Sequence, residues 1–393
     1  MTFATAASDL VKDTIETGLR FLPFSTRTGL IPIGNPDRQS PVFVTCNFDL
    51  TVRRVRRALR GIDCYLLVAS SRGINVWCAA AGGYFTANDV VSVIKTSGID
   101  RLVDHRRLIL PQLAATGVER RDVEARTGWR VVFGPVRADD IPAYLQDHFR
   151  KTAAMRRVRF DMPERLEMAS MWAFPVSLAA VIPLAIWRPA WILPFLAVVW
   201  GIAVGMFVTF PWLPLPVAGS EAAGVAARRG RVGRFLAMLD GWLRPSLSVF
   251  CLYGAALAAY QWSLGSGDWH VAVAWGGVGL TASLLVGLDL AGSTPVFKSG
   301  LSEERLLTVR LLEERCTGKA MCEQVCPKNC FEVDAKAHKA AIVAGHECVQ
   351  CGACIVQCPE DALVFSYPDG RTIAPEQIRR YKLNMLGERV KAL

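Results

Sequence analysis

The sequence predicts three differently built regions in one chain: an α/β domain with a mostly parallel sheet, a helical bundle of four membrane-length spans, and a small cysteine-rich α+β domain. Three observations predict it. Between about residues 41 and 150, short apolar runs alternate with amphipathic stretches, the mark of strand and helix taking turns. Four apolar stretches, 171–187, 190–210, 247–264 and 270–291, each approach the roughly 20 residues a helix needs to cross a bilayer. Eight of the twelve cysteines lie between 316 and 358. The expected boundaries are 1–165, 166–295 and 300–372, followed by a basic amphipathic helix or tail over 373–393.

In the first region PVFVTC (41–46), DCYLLVAS (63–70), RLIL (107–110) and WRVVFG (129–134) read as buried strands. LTVRRVRRALRG (50–61), NDVVSVIKTSG (88–98) and DDIPAYLQDHF (139–149) read as helices. Ligands of such sheets sit in the crevice at the strand ends. Near one of these ends stands SRGINVWCAAAGGYFT (71–86). Asn75 is a good N-cap, the alanines favour helix and Gly82–Gly83 is a natural stop. A very short helix is therefore expected from about Val76 to Ala81, with Cys78 in its first turn, where the helix dipole favours a thiolate. A buried structural cysteine is the competing reading.

The second region carries tryptophans near its span ends, Trp172, Trp187, Trp191, Trp212, Trp262 and Trp269, as interfacial belts do. The approach FRKTAAMRRVRF (149–160) is strongly basic, and the central connection carries Arg228, Arg229, Arg231, Arg234 and Arg244; the other two connections hold only Arg188. The positive-inside rule then puts both terminal domains in the cytoplasm, on a multi-pass protein of the cell inner membrane with the lipid bilayer as partner. Residues 1–30 lack a basic start followed by an apolar core, so no secretory signal peptide is expected. The net charge of +10 is read as a topology signal: its arginines sit beside apolar segments rather than along an aromatic-interleaved groove, and no nucleic-acid partner is expected.

Dense cysteine in a reducing compartment points to metal rather than disulfides. CVQCGACIVQCP sets Cys348, Cys351, Cys354 and Cys358 in the C-x2-C-x2-C-x3-C-P spacing of bacterial ferredoxins, three thiolates for one iron–sulfur cube and the fourth for the other. CTGKAMCEQVCPKNC repeats the register with Cys316, Cys322 and Cys326 but has Lys319 at the second ligand position, and Cys330 follows as an extra. This resembles seven-iron ferredoxins. The resemblance implies a 4Fe–4S cluster on Cys326, Cys348, Cys351 and Cys354, and a second cluster on Cys316, Cys322 and Cys358, either 3Fe–4S with Cys330 free or 4Fe–4S with Cys330 or an outside group as fourth ligand.

NVWCAA (75–80), HRRLILPQLAATGV (105–118), RTGWRVVFGPVRADDIP (126–142) and MRRVRF (155–160) together resemble the HgcA family, the corrinoid proteins of microbial mercury methylation, and more remotely the corrinoid subunit of acetyl-CoA synthesis. The C-terminal region resembles the dicluster ferredoxin partner, the HgcB family. The resemblance implies a corrinoid-binding domain with Cys78 as catalytic residue and lower axial ligand to cobalt, and Asn75, Val76, Trp77, Ala79 and Ala80 beside the cofactor, Trp77 and Ala79–Ala81 packing on the corrin. It implies methyl transfer from a folate-type donor through a partner methyltransferase, and clusters of about −400 mV that reduce the cobalt after charging by a separate electron donor. The competing reading is a membrane-bound ferredoxin that only transfers electrons. The sequence departs from the family at three places: Ala81–Gly82 stand where the family has Gly-Lys, Lys319 replaces a cluster ligand, and 359–393 lacks the terminal cysteine pair. These put the acceptor, Hg(II) or another, in play. Neither D-x-H-x-x-G nor G-x-G-x-x-G is present.

Overall fold

Residues 3–213, 230–265, 268–292, 307–367, 370–383 and 389–391 are described by a computed structural model. Arg228, Arg229 and the expected boundary at 295–300 lie outside them. The chain divides into two units, Met1–Phe21 with Arg159–Leu306, and Leu22–Val158 with Leu307–Leu393. The cysteine-rich region forms one body with the α/β region, and the first 21 residues belong with the apolar helices.

The sheet follows the expected strands closely. β1 (Gly29–Ile33), β2 (Val42–Cys46), β3 (Cys64–Ala69), β4 (Arg107–Leu110) and β5 (Arg130–Phe133) lie in the order β1-β3-β2-β4-β5. β2 to β5 are parallel, and β1 adds an antiparallel edge against β3. β2 and β3 are buried along their whole lengths, as strands covered on both faces must be. β1 was not expected; its GLIPI carries a proline, which an edge strand tolerates. From β2 the chain goes to β3 on one side and β4 on the other, so the strand order reverses there, and ligands of such sheets bind beyond the carboxyl ends at that point.

The cysteine-rich part has a sheet ordered β10-β9-β6, from β6 (Thr308–Leu311), β9 (Leu363–Ser366) and β10 (Thr372–Ile373), and a hairpin of β7 (Phe331–Asp334) with β8 (Lys339–Ile342). Two five-residue helices, Met321–Val325 and Ala353–Gln357, each precede a Cys-Pro. The sequence repeat is also a backbone repeat: Gly318 and Gln350, Ala320 and Gly352, Asn329 and Asp361 all have positive φ at matching positions. Gly318 must be glycine, since a Cβ there would stand 2.6 Å from the His338 carbonyl carbon. The expected tail is corrected: helix Pro375–Arg380 buries Ile378 in the core under the cysteine helices, and strand Tyr381–Leu383 pairs with Arg389–Lys391.

Residues 112–120 join the two halves of this unit. Gln112, 1% exposed, donates to the carbonyls of Arg156 (2.8 Å) and Cys326 (3.3 Å). Gln357 donates to the carbonyls of Ala115 (2.8 Å) and Val118 (2.7 Å) and accepts from the Arg120 amide at 3.2 Å. Arg156 pairs with Glu323 at 3.0 Å, and the Val158 amide donates to the Pro327 carbonyl at 2.8 Å. Val325 and Ala353 enter the same apolar core as β2, β3 and β4.

In the other unit four helices are long and apolar enough to cross a membrane, Met162–Trp187, Pro189–Trp212, Trp242–Ser263 and Trp269–Leu290. Small residues Ala169, Ala173 and Ala203 face inward, while Ile186, Leu193 and Trp262 are 72%, 78% and 88% exposed. An apolar exterior around small contact residues suits lipid rather than water as the solvent. Pro175 and Pro183 lie inside the first helix and Pro245 inside the third, as membrane helices tolerate. Helix Phe3–Gly18 joins this unit because Gly18 allows close packing on Phe174, and Arg20 pairs with Glu167 at 3.4 Å.

Candidate functional site

The turn after β3 is held from within. Asn47, just past β2, accepts through Oδ1 from the Ser71 amide (2.8 Å), the Ser71 hydroxyl (3.0 Å) and the Gly73 amide (3.0 Å). The single hydroxyl proton of Ser71 is shared between that oxygen and the Ile74 carbonyl, 2.7 Å away. Both side chains are buried, so this network fixes where the next element starts. Sequence reasoning missed both residues; the polar pair just past two mostly apolar strands was the available signal.

The helix then runs Val76–Gly82, one residue longer than expected. Asn75 caps it, accepting from the Cys78 amide at 3.1 Å, and Gly83 ends it in the left-handed region with φ 80°. Cys78 is exposed, against the competing reading of a buried structural cysteine. Cys46 and Cys64 supply the contrast: both are buried, and burial pushes the Cys64 thiol up to about 12 and the Cys46 thiol up as well.

Val76, Ala79 and Ala80, on the inner face of the helix, are buried in the core. Gly117 meets the inner face so closely that a Cβ would stand 2.4 Å from the Ala80 carbonyl oxygen. Asn75, Trp77 and Ala81 are half-buried beside exposed Cys78. Cys78, Ala81 and Gly82, at i, i+3 and i+4, share one face, and these are the small residues that leave room beside the thiol. At the rim the Arg72 guanidinium lies 5.0 Å from the Tyr84 ring centroid.

The eight clustered cysteines fall into two neighbourhoods. Cys316, Cys322 and Cys358 act on one another electrostatically and line one pocket with Gly318, Lys319 and Ala320. Cys326, Cys348, Cys351 and Cys354 form the other, with Cys330 among them. Cys330 hydrogen-bonds Cys326 and Cys348, which raises its own pKa and brings Cys326 down to about 7. Cys330 therefore stands with the four-cysteine group, not as a fourth member of the three-cysteine group. Burial pushes Cys322 up to about 12 and raises Cys351 and Cys354. Amides of Cys330, Ala340, Gln350 and Ala362 donate to the sulfurs of Cys326, Cys316, Cys348 and Cys358 at 3.3–3.4 Å. Such bonds lower the cost of holding buried sulfur charge. Among the described residues no three His, Cys, Asp or Glu side chains gather as around a single ion. The donor set is all sulfur in two groups, which suits multi-iron clusters better than one hard ion.

Residues 11–145 match the family described as CO dehydrogenase/acetyl-CoA synthase delta subunit. The chain is also similar to subunit gamma of the acetyl-CoA decarbonylase/synthase complex. It is 41% identical to that of Methanopyrus kandleri over 126 residues, covering 32% of this chain and 27% of that one. It is 37% identical to that of Methanocaldococcus jannaschii over 131 residues, 33% and 26%. Against subunit gamma 2 of Methanosarcina thermophila the identity is 36% over 151 residues, 37% and 32%. The chain thus spans about a quarter to a third of the length of the curated relatives it matches.

Proposed function

We propose that this chain is a membrane-anchored, corrinoid-dependent methyl-transfer protein of the HgcA kind, fused to an iron–sulfur domain that reduces its corrinoid. The observation that carries the reading is exposed Cys78 on a capped helix at the carboxyl end of a doubly wound sheet, within a region similar to acetyl-CoA decarbonylase/synthase subunits. When bound, a corrinoid supplies a cobalt atom that takes up and gives away methyl groups.

The chain's residues supply the rest. Cys78 offers a soft, electron-rich sulfur to the metal. Asn75 fixes the first turn, and through it the direction of that sulfur. Ala81 and Gly82 leave the cofactor room on the same face, in place of the buried Ala79 and Ala80. Four cysteines, Cys326, Cys348, Cys351 and Cys354, would hold a 4Fe–4S cluster, and Cys316, Cys322 and Cys358 a 3Fe–4S or 4Fe–4S cluster. The proposed methyl source is a folate-dependent methyltransferase, and the proposed acceptor a soft cation such as Hg(II). The soluble unit is proposed to face the cytoplasm from the inner membrane.

Anaerobically purified protein given a corrinoid should develop a thiolate–cobalt absorption band, and Cys78→Ala should abolish it. A variant spectrum equal to that of the parent would remove Cys78 from the site. Failure to retain any corrinoid would instead favour a membrane ferredoxin that only carries electrons.

A further inference from the structure

The Cys78 helix and both cysteine helices each touch one short segment, 112–120. Gly117 is pressed against the Ala80 carbonyl. Gln112 holds the Cys326 carbonyl, and Lys151, which donates to Gln112 Oε1, also holds the Gln324 carbonyl at 2.7 Å. Gln357 ties the second cysteine helix to the same segment through Ala115 and Val118.

The two cysteine groups meet this segment differently. Of the eight clustered cysteines only Cys351 packs against the core that contains Ala79, Ala80, Ala114 and Ala115. The others pack within the cysteine-rich core. Cys316, Cys322 and Cys358 instead border a pocket whose rim is exposed Thr317, Lys319 and Glu360.

We propose that segment 112–120 is a rigid bridge that turns the four-cysteine group, Cys326, Cys348, Cys351 and Cys354, toward Cys78 and leaves the three-cysteine group facing outward as the point of electron entry. The arrangement of the two centres rests on the iron–sulfur part of the reading above, and only the final electron acceptor at Cys78 rests on its corrinoid part. A soluble low-potential one-electron carrier gives one electron at the Thr317–Lys319–Glu360 rim and is oxidised. One electron would pass from the outer centre to the inner, and one from the inner centre to the metal that Cys78 would hold, which would be reduced by one electron. No bond at the protein forms or breaks. Gln112 and Gln357 act as positioning residues, setting the separation without touching the ligand.

The test uses the full chain with iron and sulfide restored and no corrinoid present. Cys78 and Cys251 are the exposed thiols, so a nitroxide is placed on Cys78 in a Cys251→Ser background. Its spin relaxation is measured while the clusters are titrated with reductant. The relaxation enhancement should follow the signal of the four-cysteine centre. It should drop several-fold in Cys351→Ala, persist in Cys322→Ala, and weaken in Gln112→Leu. Enhancement that follows the three-cysteine centre, is lost in Cys322→Ala, or is absent throughout overturns the proposal. The titration of the unmutated ligand set decides the matter even if a ligand variant fails to fold. A missing thiolate–cobalt band on later corrinoid addition would strike the corrinoid reading alone.

Discussion

Lys319 stands at the position where the second half of the repeat has Cys351, in a loop whose backbone copies its counterpart through the paired positive φ values of Gly318 and Gln350 and of Ala320 and Gly352. The backbone is thus already shaped for a cysteine there. Lys319→Cys should complete a four-thiolate set with Cys316, Cys322 and Cys358, and convert a mixed spectrum into that of two 4Fe–4S clusters in electron paramagnetic resonance. An unchanged cluster content would show that the three-cysteine group already has its fourth ligand. Cys330 is a poor candidate for that ligand, because its hydrogen bonds run to Cys326 and Cys348. The residue pattern had left this open. A spacing rule fixes which cysteines share a loop, but an extra cysteine four positions on finds its neighbours only through tertiary packing. Cys78 was legible for a local reason, a cap, three alanines and a glycine stop. Which alanines are buried was not, since that depends on where segment 112–120 lies.

The elements that join the two soluble halves carry a measurable load. Gln357, 5% exposed, satisfies two carbonyls and one amide across the junction. Gln357→Leu keeps the volume but strands these groups, at about 1–3 kcal/mol for each one left buried and unpaired. The expected result is a protein whose halves melt separately in calorimetry; a single transition at the parental temperature would show that the amide is dispensable. Lys151 makes the junction pH-sensitive. Its ammonium end is buried between Gln112 and Gln324, and desolvation, with Arg156 nearby, lowers its pKa to about 7 from an ordinary 10.5. The unfolded chain holds that proton up to higher pH than the folded one, so this group's contribution to stability should rise from about pH 7 toward pH 10.5 and be flat below about pH 7, where both states are protonated. Lys151→Met should flatten the difference in melting temperature between pH 7 and pH 9. A slope equal to the parent's would place the titration elsewhere. Most strands and helices of the sheet domain were readable because each follows a local period. The junction was not, because Gln112, Gln357 and Lys151 look like surface residues until both halves are in place.

At the scale of the whole molecule, Leu22–Val158 and Leu307–Leu393 form one unit although some 150 residues separate them in sequence. If the intervening helices cross a bilayer, they must cross an even number of times for one body to hold both segments. Four spans meet that requirement. Reporter fusions after residue 150, within 220–240 and after residue 300 should all read cytoplasmic, and one at residue 266 should read the outside; a periplasmic signal after residue 300 would contradict the single soluble unit. The split unit also imposes an order on biosynthesis. When the ribosome has released residues 22–158, the strands can pair, but Gln112, Ala115 and Val118 still lack the partners that only residues 321–357 provide. The whole stretch of apolar helices between them must be made first. Until then the nascent protein carries a half-dressed surface of buried amides and small apolar side chains, which a chaperone or the insertion machinery must shield. If the cysteines hold the proposed clusters, their delivery must wait until residues 316–358 have been made, after the apolar helices.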